Sequence, residues 1–230
     1  MGELYSYGQF CPVAKASEVI TTRWTPLVLR EMILGSTRFN DIHRGVPLMN
    51  RALLSRRLKE LQQLGVIDRV PTPDGKVVEY RLSSMGEELK PIIVALGLWG
   101  QKWLESAIDS NDWDAGALMW DVRRRIDVSA LPAGRTVISF EYEDAPKELK
   151  LWWLVVEDGQ ADLCQSDPGF DVDLWVMSTV VTMASVWIGK QTLARAIDDD
   201  RIYLAGDEKL QKTMSSWFAL ALLTEYAAGA

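Results

Sequence analysis

Between Arg38 and Lys59 the chain carries Arg38, Arg44, Arg51, Arg56, Arg57 and Lys59 against one acid, Asp41. That density suits phosphate chemistry. Arg presents a planar fork of donors, and Lys a compact point charge. Yet the chain is acidic: 25 Lys+Arg and 32 Asp+Glu give a formal net charge of −7 over 230 residues. Residues 1–105 hold 14 basic and 11 acidic side chains, giving +3; residues 106–230 hold 11 and 21, giving −10. An acidic protein needs a focused positive patch to approach a polyanion, so the cluster is a candidate polyanion site. A solvated helix face carries the same charges, and charge alone does not separate the two readings.

Other reactive groups are sparse. His43 is the one imidazole, and Cys11 and Cys164 are the two thiols. Two distant Cys make no disulfide framework and no zinc spacing. Neither GxGxxG nor GxxxxGK[ST] occurs, so the usual phosphate cradles are missing. His43 reads as a packing or phosphate-contact residue. Asp198-Asp199-Asp200 could in principle hold a hard cation, but acids ahead of a strand are far more often a solvated loop. We expect no catalytic residue, no metal and no cofactor, which points to binding and away from an enzyme. No apolar run approaches the roughly 18 residues of a membrane span. MGELYSYGQFCP lacks a basic region followed by an apolar stretch. The expected address is the cytoplasm, with no membrane partner.

The basic cluster must be positioned by the elements around it. Val13–Ile20 and Trp24–Leu34 read as amphipathic helices, with Pro12 and Pro26 in their first turns and Gly35 as a stop. Phe39–Arg44 reads as a short helix broken by Gly45 and Pro47. Asn50 suits an N-cap for Arg51–Leu64. There Leu54, Leu58 and Leu61 share one face. The opposite face carries Ala52, Ser55, Arg56, Lys59 and Gln63, with Arg51 and Arg57 flanking. Ile67–Val70 and Val77–Leu82 read as strands joined through the turn signal Asp74-Gly75, with Lys76 at the tip. Ser84 opens a helix to about Ala107, with Pro91 inside it as a kink point. Small and polar residues at 108–118 mark a linker between expected domains 1–107 and 113–230.

Short helix, turn, basic helix and hairpin form the order of a winged helix-turn-helix, in which one helix enters the major groove and the wing reaches beside it. The segments Cys11-Pro-Val-Ala, Arg23-Trp-Thr, Leu29-Arg-Glu, Arg38-Phe-Asn-Asp-Ile, Leu53-Leu-Ser-Arg-Arg-Leu-Lys-Glu-Leu, Leu64-Gly-Val-Ile and Tyr80-Arg-Leu-Ser resemble HxlR-type transcriptional regulators, relatives of the MarR group, over about residues 8–107. Asn50-Arg51 departs from the family's usual Ser-Pro. The resemblance implies a homodimer on a two-fold DNA operator, with protomers packed through terminal helices. It also places Cys11 where some members keep a thiol that senses oxidants or electrophiles. Lys15 lies one turn on, and a helix N-terminus favours thiolate. The alternative for Cys11 is a small buried apolar residue.

The second half is aromatic: Trp113, Trp120, Trp152, Trp153, Trp175, Trp187 and Trp217 are seven of the ten Trp. Large aromatics line apolar sites but more often fill cores. Thr136–Tyr142, Leu149–Val156 and Gly159–Gln165 read as strands, with Asp158-Gly159 as a hairpin turn. Asp173 to about Gly189 reads as a helix, Thr192–Ile197 as a short one, Arg201–Gly206 as a strand and Glu208–Phe218 as a helix. This layout, closing on Gly206-Asp207, resembles sterol carrier protein type 2-like domains. The resemblance implies an α/β sandwich-like fold around an apolar cavity, and facing nominates Trp153, Trp175, Met183 and Trp187 as its lining.

The expected class is therefore α+β: an N-terminal winged helix-turn-helix followed by that C-terminal domain. The expected function is a dimeric transcriptional regulator, more a repressor than an activator. Its acidic half would sense a small apolar ligand or stabilise the dimer. Expected DNA contacts are Arg51, Ser55 and Arg56 at base edges, with Arg38, Arg44, Lys59 and Lys76 at phosphates or the flanking groove and Asn50 at the helix entrance. The alternative is a lipid or apolar-ligand carrier whose winged helix serves dimerisation.

Overall fold

The computed structural model describes residues 6–72, 77–104 and 112–221. The chain divides into two compact units, Met1–Gly100 and Gln101–Ala230.

The first unit opens with α1 (Pro12–Ile20), α2 (Thr25–Ile33), α3 (Phe39–Gly45) and α4 (Arg51–Gln63). Pro sits in the first turns of α1 and α2, where its missing N–H costs nothing. The Asn50 side chain caps α4 by accepting the Leu53 N–H at 2.8 Å. Leu54, Leu58 and Leu61 pack with Val28, Leu29 and Ile42 in the unit's core. Fully burying each leucine stabilises by about 1.5–3 kcal/mol, so α4 has one face it cannot turn to water. Strands β1 (Ile67–Pro71) and β2 (Val78–Leu82) pair antiparallel, Ile67 opposite Leu82. The Tyr80 N–H donates to the Thr37 carbonyl at 2.7 Å, and Arg38 bridges to Glu79, so the residues before α3 extend this sheet. The Asp74-Gly75 turn and Lys76 lie outside the described residues.

The single helix expected from Ser84 is two. Ser83 caps α5 (Ser84–Glu87), and α6 runs Lys90–Trp103. Pro91 has no N–H to continue a ladder from α5, so it stands in the first turn of a new helix rather than kinking an old one. Residues 105–107 lie outside the described residues.

The second unit begins with a helix the sequence reading passed over, α7 (Ala115–Arg125), capped by Asp114 through the Ala117 N–H at 2.8 Å. It starts inside the stretch read as linker, of which 108–111 lie outside the described residues. Strands β3 (Thr136–Tyr142), β4 (Leu151–Glu157), β5 (Gln160–Cys164), β6 (Leu174–Ser178) and β7 (Ile202–Gly206) form one mixed sheet, ordered β5-β4-β3-β6-β7. β3 and β6 are parallel; the other neighbours are antiparallel. Asp158 and Gly159 both have positive φ, as the two-residue hairpin turn between β4 and β5 requires.

Helices α8 (Val180–Trp187), α9 (Leu193–Asp198), α10 (Glu208–Lys212) and α11 (Met214–Trp217) complete the unit. The helix expected over 173–189 is thus strand β6 followed by α8. Leu174, Val176 and Ser178 are buried and alternate with the less buried Trp175 and Met177, a period of two, and Thr179 caps the helix that follows. The helix expected over 208–218 breaks at Thr213. Ile138 and Phe140, Trp152 and Leu154, and Leu174 and Val176 pack with Met119, Met183 and Trp217 in one core. The helices therefore cover one face of the sheet. The other face carries Val137, Ser139 and Trp153, all buried, and Trp175 and Tyr203, both exposed. The protein is α+β: a helix-turn-helix unit, then a mixed sheet.

Candidate nucleic-acid interface

The site is built on α4. Burying Leu54, Leu58 and Leu61 forces Ala52, Ser55, Arg56, Lys59 and Gln63 outward, and all five are exposed. Arg56 Nε lies 3.9 Å from Glu60 Oε1, beyond hydrogen-bond length, which leaves the guanidinium able to reorient. Arg57 does not join this face. It is buried, and its Nη1 meets Glu60 Oε2 at 2.5 Å. Asn50 spends its side-chain oxygen on the cap.

Arg51 stands apart from the other candidate readers. Its Nη2 donates to Asn40 Oδ1 at 2.7 Å, and its guanidinium lies 4.8 Å from the Phe39 ring centre. It therefore ties the start of α4 to the start of α3. Phe39 stacks on His43 at 6.5 Å, consistent with the packing reading of that imidazole. Arg44 meets Asp41 at 3.0 Å. Arg38 reaches only to 3.9 Å from Glu79, whose other carboxylate oxygen holds Arg81 at 2.8 Å. Between the front of α3 and β2 lies an open groove of about 600 Å³, lined by Arg38, Phe39, Asn40, Asp41 and Arg44 on one side and Val77, Val78 and Tyr80 on the other. The structure thus brings Arg38 and Arg44 to one groove and Ser55, Arg56 and Lys59 to one helix face. Lys76 lies outside the described residues.

Beneath the interface is a network the sequence reading missed. Glu31 is completely buried and accepts from Arg30 Nε at 3.1 Å and Nη2 at 2.8 Å. Arg30 Nη2 also donates to the Gly45 carbonyl at 2.8 Å. This locks α2 to the end of α3. The signal was present in Leu29-Arg-Glu, where an acid interrupts an apolar helix, but only the fold shows that the acid points inward.

Cys11 is half-buried at the N-cap position of α1. Lys15 Nζ turns to both oxygens of Glu18, at 3.0 and 3.1 Å. That hydrogen bond, with the Tyr7 N–H, holds the Glu18 carboxyl below its ordinary range. In the second unit the four nominated lining residues fall on opposite sides of the sheet. Met183 and Trp187 are in the helix-covered core, while Trp153 and Trp175 flank Ser139 on the other face. They do not line one pocket. No group of three or more His, Cys, Asp or Glu among the described residues is placed to hold a metal ion. No helix among them is long and apolar enough to cross a membrane.

A short helix, a turn, an outward-facing basic helix and a two-stranded wing define a winged helix-turn-helix unit. Comparison with known proteins agrees: residues 19–108 match the HxlR-like helix-turn-helix family. The HTH-type transcriptional regulator YvaP of Bacillus subtilis is 34% identical over 99 residues, which cover 42% of this chain and 92% of that protein. The HTH-type transcriptional regulator MT3179 of Mycobacterium tuberculosis is 43% identical over 95 residues, covering 40% of this chain and 58% of the relative. Among solved structures, the redox regulator HypR in its reduced form is 30% identical over 42% of this chain and 97% of its own, with a TM-score of 0.40. The chain belongs to the HxlR-like helix-turn-helix family. Each of these matches spans less than half of it.

Proposed function

We propose that this protein is a cytoplasmic, homodimeric, sequence-specific DNA-binding regulator, acting as a repressor. The observation that carries the reading is the outward face of α4. Ser55, Arg56 and Lys59 are exposed and share one face because three leucines must be buried on the other. Small residues let such a helix approach base edges, and Arg reads guanine or meets phosphate. Arg38 and Arg44 meet backbone phosphates beside α4. Arg51 acts by holding α3 and α4 at the angle that presents the reader.

Dimerisation is supported by α6, which buries no residue although it is apolar. Ile92, Leu96, Trp99 and Trp103 form one exposed stripe along it. Such a stripe at helical spacing fits a second copy of the same helix.

The second unit, residues 113–230 in this reading, is a sterol carrier protein type 2-like sensor of a small apolar ligand. Its support is a mixed sheet covered by helices on one face, with aromatic side chains on both. A ligand releases DNA only if it binds the DNA-incompetent dimer better. The carrier alternative has no separate observation in its favour.

The test is a salt-titrated anisotropy assay with labelled DNA from upstream of the protein's own gene and scrambled DNA as competitor. Binding that resists the competitor and weakens steeply with salt supports the reading. Equal affinity for random-site-selected and scrambled DNA overturns it.

A further inference from the structure

The sheet of the second unit has a face that its helices do not cover. Cys164, Trp153, Ser139, Trp175 and Ala205 stand in register across it, one from each strand. Ile138, Phe140, Trp152, Leu154, Leu174 and Val176 pack into the helix-covered core, so alternation turns this row the other way. A serine therefore stands between two tryptophans. Adjacent strands lie roughly 4.8 Å apart, which sets the two tryptophan backbones roughly 9.6 Å apart. A flat ring between two others needs about 7 Å, twice the roughly 3.5 Å contact distance of carbon atoms. Two large side chains flanking a small one thus make walls and a floor for a planar guest. Trp153 is buried, but Trp175 is 38% exposed, and Tyr203, diagonal to it on β7, is 62% exposed, so the slot opens towards β7. The floor is polar. Ser139 is completely buried, and its hydroxyl has no hydrogen-bond partner among the described residues. An unpaired buried hydroxyl costs stability, and a ligand N–H supplies the missing partner.

We infer that this face binds a planar aromatic cation, its ring held between Trp153 and Trp175 and an N–H donated to Ser139 Oγ. The charge follows from two observations. Aromatic faces attract cations. Arg23 lies over the Trp24 ring, Lys190 over Trp113 and Arg123 over Trp120, whereas among the described residues no Lys or Arg lies over Trp153 or Trp175. Residues 106–230 hold 11 basic and 21 acidic side chains, a net −10, which draws cations and repels anions. Glu141, two residues from Ser139 on the same face, is paired with Lys150 at 3.0 Å, so the pull is that of the unit as a whole. Access to Ser139 requires an indole to turn aside, and the partly exposed Trp175 is the one with room. The inference deepens the ligand-sensing reading of this unit, on which its regulatory meaning rests.

The experiment titrates the full chain, without DNA, into proflavine and follows the dye's fluorescence in mildly alkaline buffer. Acridine, uncharged there, and anthracene-2-carboxylate supply the same three-ring shape without charge and with the opposite charge. A dissociation constant on the order of ten micromolar is expected for proflavine. Acridine should bind about tenfold more weakly, and the carboxylate not at all. Trp175→Ala removes one wall and should weaken proflavine roughly tenfold, the worth of one stacked ring. Ser139→Ala should weaken it severalfold while the protein melts higher, because an unpaired buried hydroxyl is gone. Trp175 is partly exposed, so its variant should fold; if it does not, Ser139→Ala carries the test. Absence of binding, equal affinity for the three rings, or parental affinity in the folded variants overturns the proposal. No DNA is present, so a protein that finds no operator can pass this test, and one that binds its operator can fail it.

Discussion

Gly45→Ala tests the packing at the end of α3, beside α4. A Cβ at position 45 would collide with the carboxyl carbon and both oxygens of Glu31. That carboxylate is fully buried and is gripped by Arg30 through two nitrogens. It can move aside only by leaving the guanidinium. Glu31 is buried but Arg30 is partly exposed, so separating them costs less than the about 3–5 kcal/mol of a fully buried pair, on the order of 2–3 kcal/mol. Replacing a helical Gly by Ala gains at most about 1 kcal/mol in propensity. The collision wins, and the net loss is about 1–2 kcal/mol, a sizeable share of the roughly 5–15 kcal/mol that holds a domain together.

Urea unfolding followed by amide exchange at Leu58 reports on this unit separately from the sheet unit. With a slope of about 1–3 kcal/mol/M, the midpoint should fall by on the order of 1 M. The sharper form of the test uses Glu31→Ala as a second background. There the obstacle is gone, and the partly exposed Arg30 can turn to water. Gly45→Ala should then be neutral or slightly stabilising, so one substitution changes sign between two backgrounds. An equal cost in both backgrounds would refute the reasoning, since the carboxylate could not then be the obstacle.

Three further outcomes are expected. Arg56→Ala should cost roughly 1–3 kcal/mol of operator affinity and relax specificity, whereas Lys59→Ala should weaken all sequences alike and lower the salt slope by about 1; anisotropy titrations separate the two. Trp99→Arg, in the exposed stripe of α6, should shift sedimentation from dimer to monomer with helix content unchanged; a dimer that persists would move the interface elsewhere. Glu18 has a carboxyl pKa lowered by Lys15 and the Tyr7 N–H. Its contribution is therefore present above the ordinary carboxylate range and lost as pH falls through the lower, folded value. An NMR titration should show the Tyr7 amide shifting in that acid window, and Lys15→Ala should move its midpoint upward.

The helix-turn-helix unit was legible because its signals are local and mutually consistent. Asn50 caps α4, the leucine spacing fixes its inner face, and Gly35 ends α2; each follows from neighbours a few residues away. The sheet unit was less legible where local signals compete. Leu174-Trp-Val-Met-Ser and Val180-Val-Thr-Met-Ala are both apolar, and a short apolar run does not announce its period. The break at Thr179 becomes visible only once its side chain caps α8. Helix α7 was missed because Asp114, an N-cap, looks in composition like one more linker residue.

The candidate interface residues divide on the same principle. Facing on a single helix was enough to place Ser55, Arg56 and Lys59 on its exposed side. It could not settle Arg51 or Arg57, because their environment comes from residues outside their own turn. Arg51 meets Asn40 and Phe39 across the turn between α3 and α4, and Arg57 is buried beside Glu60. A basic residue flanking an apolar stripe can go either way, and tertiary contacts decide. The net charge of the cluster therefore overstates the charge available to DNA. Of the six basic side chains between Arg38 and Lys59, Arg57 is neutralised in the packing by Glu60 and Arg44 is paired with Asp41 at 3.0 Å, while Arg51 is exposed and held only by neutral groups. Arg38, Arg51, Arg56 and Lys59 carry the remaining surface charge, and the salt dependence of operator binding should reflect that smaller number per protomer.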